Sequence, residues 1–254
     1  MKFETHIPTD ILKPFVKSFV ISETGDEAVY KVLPDTGLVM GFQYKGRLSR
    51  LQREQEVLLS TSGISGLTDS MHIFKNSANI GTVLVFFREI GASYFFRQPL
   101  HELFRESISL DNFMLRSELL ILEEQLSEAK TDIQRISSVE RFLINRMTNT
   151  ELDTLVLEAL ALIHKHKGDI RIKELTNQLH ISQSPLEKRF RQAVGASPKK
   201  FASIVRLKNV IQQYGHAASL TQLGYEAGFY DQAHFIKEFK AFTGDTPENS
   251  LLGK

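Results

Sequence analysis

The stretch that decides the fold is Leu220-Thr-Gln-Leu-Gly-Tyr-Glu-Ala-Gly-Phe229, because it repeats an earlier segment of the chain. Residues 172–181 read Ile-Lys-Glu-Leu-Thr-Asn-Gln-Leu-His-Ile, and the apolar positions of the two segments coincide at an offset of 48. Beyond them an offset of 49 aligns Leu186 with Phe235, Phe190 with Phe239, Gly195 with Gly244 and Pro198 with Pro247. The repeat predicts two copies of a short helix, a tight turn and a second helix, which is the helix-turn-helix layout.

The turn residues and caps of the two copies agree with this layout. Gly228 can supply the positive φ that such a turn requires, and His180 stands at the same place in the first copy. Ser182 and Asp231 are placed to cap the second helices. The inner face of each second helix carries the apolar residues of the repeat, so the opposite face is expected to point outward.

The outward faces carry hydrogen-bonding side chains that suit base edges and phosphates in a DNA major groove. An ordinary solvated helix face would look similar in isolation, but two matched copies favour the DNA interpretation. The predicted DNA-binding residues are Gln183, Ser184, Glu187, Lys188 and Arg191 in the first copy and Gln232, Ala233, His234 and Lys237 in the second.

The charge is divided unevenly along the chain. The 254 residues include 31 Lys+Arg and 30 Asp+Glu, a net charge of +1 that argues against a nucleic-acid partner when taken whole. Residues 155–254, however, hold 14 Lys+Arg against 9 Asp+Glu, whereas residues 1–154 hold 17 against 21. The basic half is the half with the repeat, so the charge pattern is consistent with DNA binding there.

Composition excludes several classes of chemistry. There is no Cys, so no disulfide scaffold, thiolate metal site or cysteine nucleophile exists. The N-terminus lacks the pattern of a signal peptide, and no apolar stretch approaches the roughly 18–20 residues of a membrane span. We therefore expect a cytoplasmic protein with no membrane partner.

The first half of the chain reads as mostly β. Short β-branched and aromatic runs punctuated by Gly, Pro and Ser predict strands of a barrel or sandwich. The strongest is Ile80–Arg88, apolar enough to be buried on both faces. Residues 10–19 are an exception, since their apolar residues follow helical spacing and predict a helix. Two amphipathic helices follow from about residue 116, and Thr131 or Asp132 is placed to cap the second.

The C-terminal repeat resembles the DNA-binding domain of AraC/XylS-type regulators. The resemblance is carried by Ser182–Leu207, similar to the family's first recognition helix and linker helix. It is also carried by Leu223–Pro247, with its Gly-Phe turn, F-x-x-x-F-K and G-x-x-P motifs. Pro185 departs from the family's usual Tyr or His, and the end after Pro247 lacks the usual aromatic and Arg.

The resemblance implies two helix-turn-helix units joined by a long helix over about residues 198–214. Their recognition helices would enter successive major-groove segments on one DNA face, roughly 34 Å apart. It places base-reading roles on the outward residues named above other than Arg191. Other basic residues are assigned to phosphate contacts or packing: Arg191, Lys199, Lys200 and Arg206.

The N-terminal half resembles the family's β-rich sensor domain, through the strand Ile80–Arg88 and the turn that follows it. The expected fold class is therefore α+β: a barrel-like (cupin-like) sensor domain at 1–115, a helical linker or dimerisation segment at 116–153 and an all-α double helix-turn-helix domain at 154–254. Polar or amphipathic residues on or beside strands are candidates for an effector pocket: Tyr44, His72, Arg88 and Tyr94.

No catalytic, metal or cofactor site is predicted. His6, His72 and His101 are widely spaced, and no G-x-S-x-G, Walker A or G-x-G-x-x-G motif occurs. The favoured function is a bacterial-type, sequence-specific transcription regulator that binds double-stranded DNA. RNA polymerase, a small-molecule effector and a second copy bound through residues 116–148 are further candidate partners. Two alternatives stay open, namely a DNA-targeted enzyme and a helical protein-interaction module that has lost DNA binding.

Overall fold

The fold combines two antiparallel sheets in the first half with a helical second half, so the α+β prediction is confirmed. The computed structural model of the protein describes residues 1–52, 55–148, 153–213, 220–229 and 231–252. The helix break predicted at residues 215–216 lies outside the described residues, as does part of the polar segment before residue 153. The predicted domain boundaries stay predictions.

The strands form a six-stranded sheet and a four-stranded sheet. Within the described residues the strands do not close into one barrel, which corrects the barrel-like expectation. Short strands alone do not reveal how sheets pair. The strands are β1 (Lys2–His6), β2 (Val16–Thr24), β3 (Ala28–Val32), β4 (Val39–Lys45), β5 (Leu48–Gln52), β6 (Gln55–Leu58), β7 (Ser62–Ser65), β8 (His72–Asn76), β9 (Ile80–Phe87) and β10 (Ser107–Ser109). The six-stranded sheet has the order β1-β2-β9-β4-β7-β10, and the four-stranded sheet has the order β3-β8-β5-β6.

Strand β9 lies inside the larger sheet, between β2 and β4. Val83 and Val85 are fully buried, and Leu84 and Phe86 are only half-buried, so both faces of the strand are largely covered. A β-branched and aromatic run fits such a position because it packs well on a pleated surface with neighbours on each side. The prediction of a strand covered on both faces is confirmed.

The helix predicted over residues 10–19 is wrong. Residues 9–16 form hydrogen-bonded turns, in which Leu12 N–H and Lys13 N–H both donate to the Thr9 carbonyl, and strand β2 begins at Val16. Pro14 has no N–H to extend a helix, and the β-branched residues of β2 pack well between β1 and β9. The apolar spacing fitted both structures, and pairing with distant strands decided between them.

Two helices follow the sheets, α1 (Arg116–Glu128) and α2 (Asp132–Arg146). Thr131 caps α2 in a reciprocal capping box with Gln134, as the sequence predicts. The apolar stripe of α1 is buried within the chain at Leu119, Leu122 and Leu126, so it belongs to the intradomain core.

The second half contains seven helices within the described residues: α3 (Thr154–Lys165), α4 (Ile172–Gln178), α5 (Gln183–Val194), α6 (Pro198–Gln213), α7 (Leu220–Glu226), α8 (Gln232–Thr243) and α9 (Pro247–Leu252). None of the described helices is long and apolar enough to cross a membrane. One hydrophobic core runs from the sheets through α1 and α2 into α3–α6, and α6 also contributes to a separate core with α7 and α8. The first helix-turn-helix unit is therefore packed onto the N-terminal half.

Candidate nucleic-acid interface

The two predicted turns share a left-handed residue and a backbone hydrogen bond. His180 has φ +50° and Gly228 has φ +76°, so both adopt the left-handed conformation that the repeat predicts. The N–H after each turn residue donates to a carbonyl five residues earlier: Ile181 to Thr176 at 3.1 Å, and Phe229 to Gly224 at 3.0 Å. A local repeat in sequence thus produces the same change of direction twice.

Each turn leads into an amphipathic second helix. In α5 the buried residues are Leu186, Phe190 and Val194, and in α8 they are Phe235, Phe239 and Phe242. Both helices end at a left-handed glycine, Gly195 or Gly244.

The caps of the two helices differ. The Asp231 carboxylate accepts a hydrogen bond from the His234 N–H at 2.7 Å. Ser182 occupies the cap position of α5 but makes no side-chain bond there, so the predicted cap is present only at α8.

The predicted DNA-binding residues all reach the surface. Glu187 is half-buried and its carboxylate accepts a hydrogen bond from the Gln183 amide at 2.8 Å. The other eight are exposed: Gln183, Ser184, Lys188, Arg191, Gln232, Ala233, His234 and Lys237. The fold therefore brings each set together on one solvent-facing helix surface, although their contacts with bases stay predictions.

The linker helix α6 carries the basic residues that were assigned to phosphates or packing. Lys199 is exposed, whereas Lys200 lies 2.5 Å from the Asp69 carboxylate in the N-terminal half. Arg206 is largely buried and donates to Glu238 of α8 at 3.2 Å. Arg206 therefore takes part in packing between α6 and the second unit.

The sequence pattern did not reveal an ion pair that holds the first recognition helix, between Arg189 of α5 and Asp153. The Asp153 carboxylate caps α3 by accepting from Val156 N–H at 3.1 Å, and it also accepts two hydrogen bonds from Arg189 of α5, at 2.7 and 2.8 Å. A bidentate arginine–carboxylate pair fixes orientation as well as distance. Because 36 residues separate the partners, helical periodicity gave no signal for this pair.

The four candidate pocket residues have separate surroundings. The Tyr44 hydroxyl donates to Glu23 at 2.7 Å, and the Tyr44 ring lies under the Arg135 guanidinium. Burial and the bond to Glu23 raise the pKa of Tyr44. Tyr94 packs against Phe15, with ring centroids 4.3 Å apart, and burial raises its pKa.

His72 and Arg88 complete that set. His72 Nε2 lies 2.8 Å from Arg50 Nη2, and burial together with the Arg50 charge lowers the pKa of His72 to about 4. Arg88 donates to the Lys13 carbonyl and lines a cleft of about 140 Å³. Among the described residues, no three His, Asp or Glu side chains are grouped so that they could hold a metal ion.

Two known protein families match parts of the chain. Residues 175–251 match a family described as a helix-turn-helix domain, and residues 4–109 match a domain of unknown function. The first match covers both turns and both recognition helices, so it agrees with the structural repeat.

Named relatives are transcription regulators. The Msm operon regulatory protein of Streptococcus mutans is 28% identical over 115 residues, which are 43% of this chain and 41% of that protein. Transcriptional regulator MxiE of Shigella flexneri is 32% identical over 96 residues, 37% of this chain and 45% of that protein. The chain thus spans less than half the length of these curated relatives.

Among solved structures, ToxT of Vibrio cholerae aligns with a TM-score of 0.47 and 13% identity, over 92% of this chain and 97% of that chain. The predicted AraC-type domain is confirmed by the family match, the named regulators and the duplicated turn geometry. Residues 175–251 therefore form an AraC-type helix-turn-helix domain, and this part of the chain is related in sequence to named transcription regulators.

Proposed function

We propose that this protein is a sequence-specific DNA-binding transcription regulator. The observation that carries the proposal is the duplication: two helices with exposed polar faces each follow a turn that has a left-handed residue and the same backbone hydrogen bond. A single polar helix face is common on any soluble domain. Two matched faces joined by one helix are what reading two adjacent DNA segments requires.

The dimensions of the joining helix support this arrangement. Helix α6 has 16 residues and, at about 1.5 Å per residue, is about 24 Å long. Phe190 of α5 packs against Phe201 near the start of α6, and Glu238 of α8 bonds to Ser203 and Arg206 further along the same helix. Because one helix holds both recognition helices, the two can address successive major-groove segments about 34 Å apart. Lys188, Arg191 and Lys237 are exposed cations that would supply the salt-dependent phosphate attraction.

The two alternatives have less support. The named relatives are regulators, which favours a non-enzymatic function over a DNA-targeted enzyme. A protein-interaction module that has lost DNA binding would have no need for exposed cations at matched positions of both recognition helices. We propose double-stranded DNA as the main partner. We propose the cytoplasm as the location, because a bacterial chromosome lies there. A contact with RNA polymerase stays a prediction.

A small-molecule effector is proposed for the N-terminal half. The cleft beside Arg88 is lined by Lys17, Asp35 and Glu89 as well. Asp35 pairs with Lys208 of α6, and Glu89 lies 3.3 Å from the imidazole of His164 in α3. A ligand in the cleft would therefore touch carboxylates that hold the helical half in place.

A second copy of the chain is proposed as a partner through residues 116–148. Although the main stripe of α1 is buried, Leu120 and Ile121 are 50% and 57% exposed on its other side, and Ile133 of α2 is 72% exposed. Exposed apolar residues on two consecutive helices are the side chains that such a dimer contact would cover.

Fluorescence anisotropy with genomic fragments selected by the wild-type protein tests DNA binding. We expect specific binding that weakens with salt, and a loss on the order of fivefold or more for Lys188→Ala and for Lys237→Ala. Lys13→Ala removes an exposed lysine of the N-terminal half and is the matched control, with affinity unchanged. Equal affinity for selected and random DNA would exclude sequence-specific regulation.

A further inference from the structure

A carboxylate on the second recognition helix stands between the linker helix and a predicted base-reading residue. Glu238 lies one turn after His234 in α8, and its Oε1 is 3.4 Å from His234 Nε2. Its other oxygen, Oε2, accepts hydrogen bonds from Arg206 at 3.2 Å and from Ser203 at 3.3 Å, both on α6. Each carboxylate oxygen therefore has its own set of partners.

Arg206 also contacts Phe229, the second neighbour of the His234 imidazole. Its guanidinium carbon lies 4.1 Å from the centroid of the Phe229 ring, a cation–π contact. The Phe229 ring in turn lies 5.8 Å from the His234 ring. The largely buried Arg206 thus anchors both the carboxylate and the aromatic ring beside His234, whereas His234 itself is half exposed.

The chemistry of the pair decides which nitrogen carries the hydrogen. A carboxylate accepts hydrogen bonds but cannot donate them, so a neutral imidazole beside Glu238 places its hydrogen on Nε2. Nδ1 is then an acceptor. In the major groove an acceptor pairs with the amino groups of adenine or cytosine, and it finds no donor on the edge of guanine or thymine.

We propose that Glu238, anchored by Arg206, is a positioning residue for His234. It fixes the Nε2–H form, so that Nδ1 reads an adenine or a cytosine. This inference rests on the proposed DNA-reading role of His234. To that role it adds Glu238 as the residue that sets the tautomer of His234, and adenine or cytosine as the bases that this tautomer can read.

Replacing Glu238 by Gln gives the sharpest test, because it should exchange the donor and acceptor nitrogens of the His234 imidazole. Arg206 and Ser203 both donate, so the amide oxygen of the Gln stays on their side and its NH₂ faces His234. Nε2 must then accept, which moves the hydrogen to Nδ1. His234 would present a donor to the groove and favour guanine or thymine.

The tautomer can be measured without DNA. Imidazole ¹⁵N chemical shifts at pH 8, where an ordinary histidine is neutral, report which nitrogen is protonated, and His234→Ala identifies the signal. We expect Nε2–H in the wild type and Nδ1–H in Glu238→Gln. Unchanged Nε2–H in Glu238→Gln, or Nδ1–H in the wild type, would overturn the proposal.

The base preference is measured on duplexes that differ at the one base pair where His234→Ala loses discrimination. We expect the wild type to prefer adenine or cytosine on the contacted strand on the order of tenfold, and Glu238→Gln to reverse this order. Glu158→Gln makes the same charge change at an exposed residue of α3 and should leave the base preference of the wild type unchanged. If Glu238→Gln loses its affinity for random DNA, Arg206→Gln serves as the second variant, because it frees the Glu238 carboxylate from its anchor. The base preference of Arg206→Gln should fall to about twofold or less.

The outcomes separate the two proposals. If His234→Ala changes discrimination nowhere, the DNA-reading role of His234 fails, and the tautomer measurement still tests the role of Glu238. If His234→Ala changes discrimination but the Glu238 and Arg206 variants keep the wild-type preference, the positioning role is wrong.

Discussion

Lys200 of the linker helix lies 2.5 Å from the carboxylate of Asp69, which belongs to the N-terminal half of the chain. Asp69 also accepts two hydrogen bonds from Arg105, at 2.7 and 2.9 Å. Burial raises the pKa of Asp69, but the hydrogen bonds and charges of Arg105 and Lys200 outweigh it and hold this pKa below its usual value. A second lysine of α6, Lys208, pairs with Asp35 in the same way. The helix that joins the two recognition units is thus tied to the N-terminal half.

We predict that Asp69→Asn destabilises the protein by about 1–3 kcal/mol, because Lys200 and Arg105 lose a carboxylate that is only 13% exposed. The denaturant midpoint of unfolding measures the change. Asp10→Asn is the matched control, since its pair with Lys13 is exposed and its midpoint should not move. Equal effects of the two substitutions would show that the Asp69 contact contributes nothing special.

We predict that His72 makes stability depend on pH. Its pKa in the folded protein is about 4, below the ordinary 6.5, so the unfolded chain binds a proton more readily between these values. This contribution is complete above pH 6.5 and is lost as the pH falls to 4. After allowance for solvent screening, the loss is on the order of 1–2 kcal/mol.

Urea unfolding of the wild type and of His72→Gln at pH 7 and pH 4.5 separates the contribution of His72 from that of the carboxylates, which titrate in both proteins. The Gln side chain can still accept from Arg50 but does not titrate. We expect the wild type to lose more stability than the variant between the two pH values. Parallel losses would contradict the assignment to His72.

We predict that Gly228→Ala destabilises the second helix-turn-helix unit by about 1–3 kcal/mol. Gly228 has φ +76°, and an added Cβ would lie 2.4 Å from the carboxylate of Asp169. Thermal unfolding and DNA affinity should both decline. Gly25→Ala is the control, because nothing lies within 4 Å of its added Cβ and its φ is not left-handed. A Gly228 variant as stable as the Gly25 variant would contradict the turn geometry.

We predict that Leu120→Lys with Ile121→Lys weakens self-association at least tenfold, because two exposed apolar side chains of the proposed dimer surface become charged. Sedimentation velocity over a range of concentrations measures the dissociation constant. Val57→Lys alters an apolar residue of similar exposure on β6 and should leave association unchanged. A wild-type protein that stays monomeric throughout would exclude this surface as a dimer interface.

Local chemistry explains why the helical half could be predicted and much of the sheet half could not. The positive φ of His180 and Gly228 and the cap at Thr131 depend on neighbours within a few residues, so the sequence displays them directly. Strand β2 depends on pairing with β9 some 60 residues away, and its apolar spacing matched a helix equally well.

The same reasoning applies to the candidate site. The outward residues of α5 and α8 follow from helical periodicity, because the buried residues fix the opposite face. The partners that hold those helices do not follow from it. Asp153 is 36 residues from Arg189, and Glu238 is 32 from Arg206. Such pairs arise from tertiary packing, which one sequence without its fold does not reveal.

Selection of binding sites from random DNA by the wild-type protein tests the central claim most directly. The account predicts a motif with two blocks of base preference, centred about 10–10.5 base pairs apart. Ser184→Ala with Lys188→Ala should erase one block, and Gln232→Ala with His234→Ala should erase the other. A motif with one block, or the loss of the same block in both double variants, would contradict reading by two recognition helices.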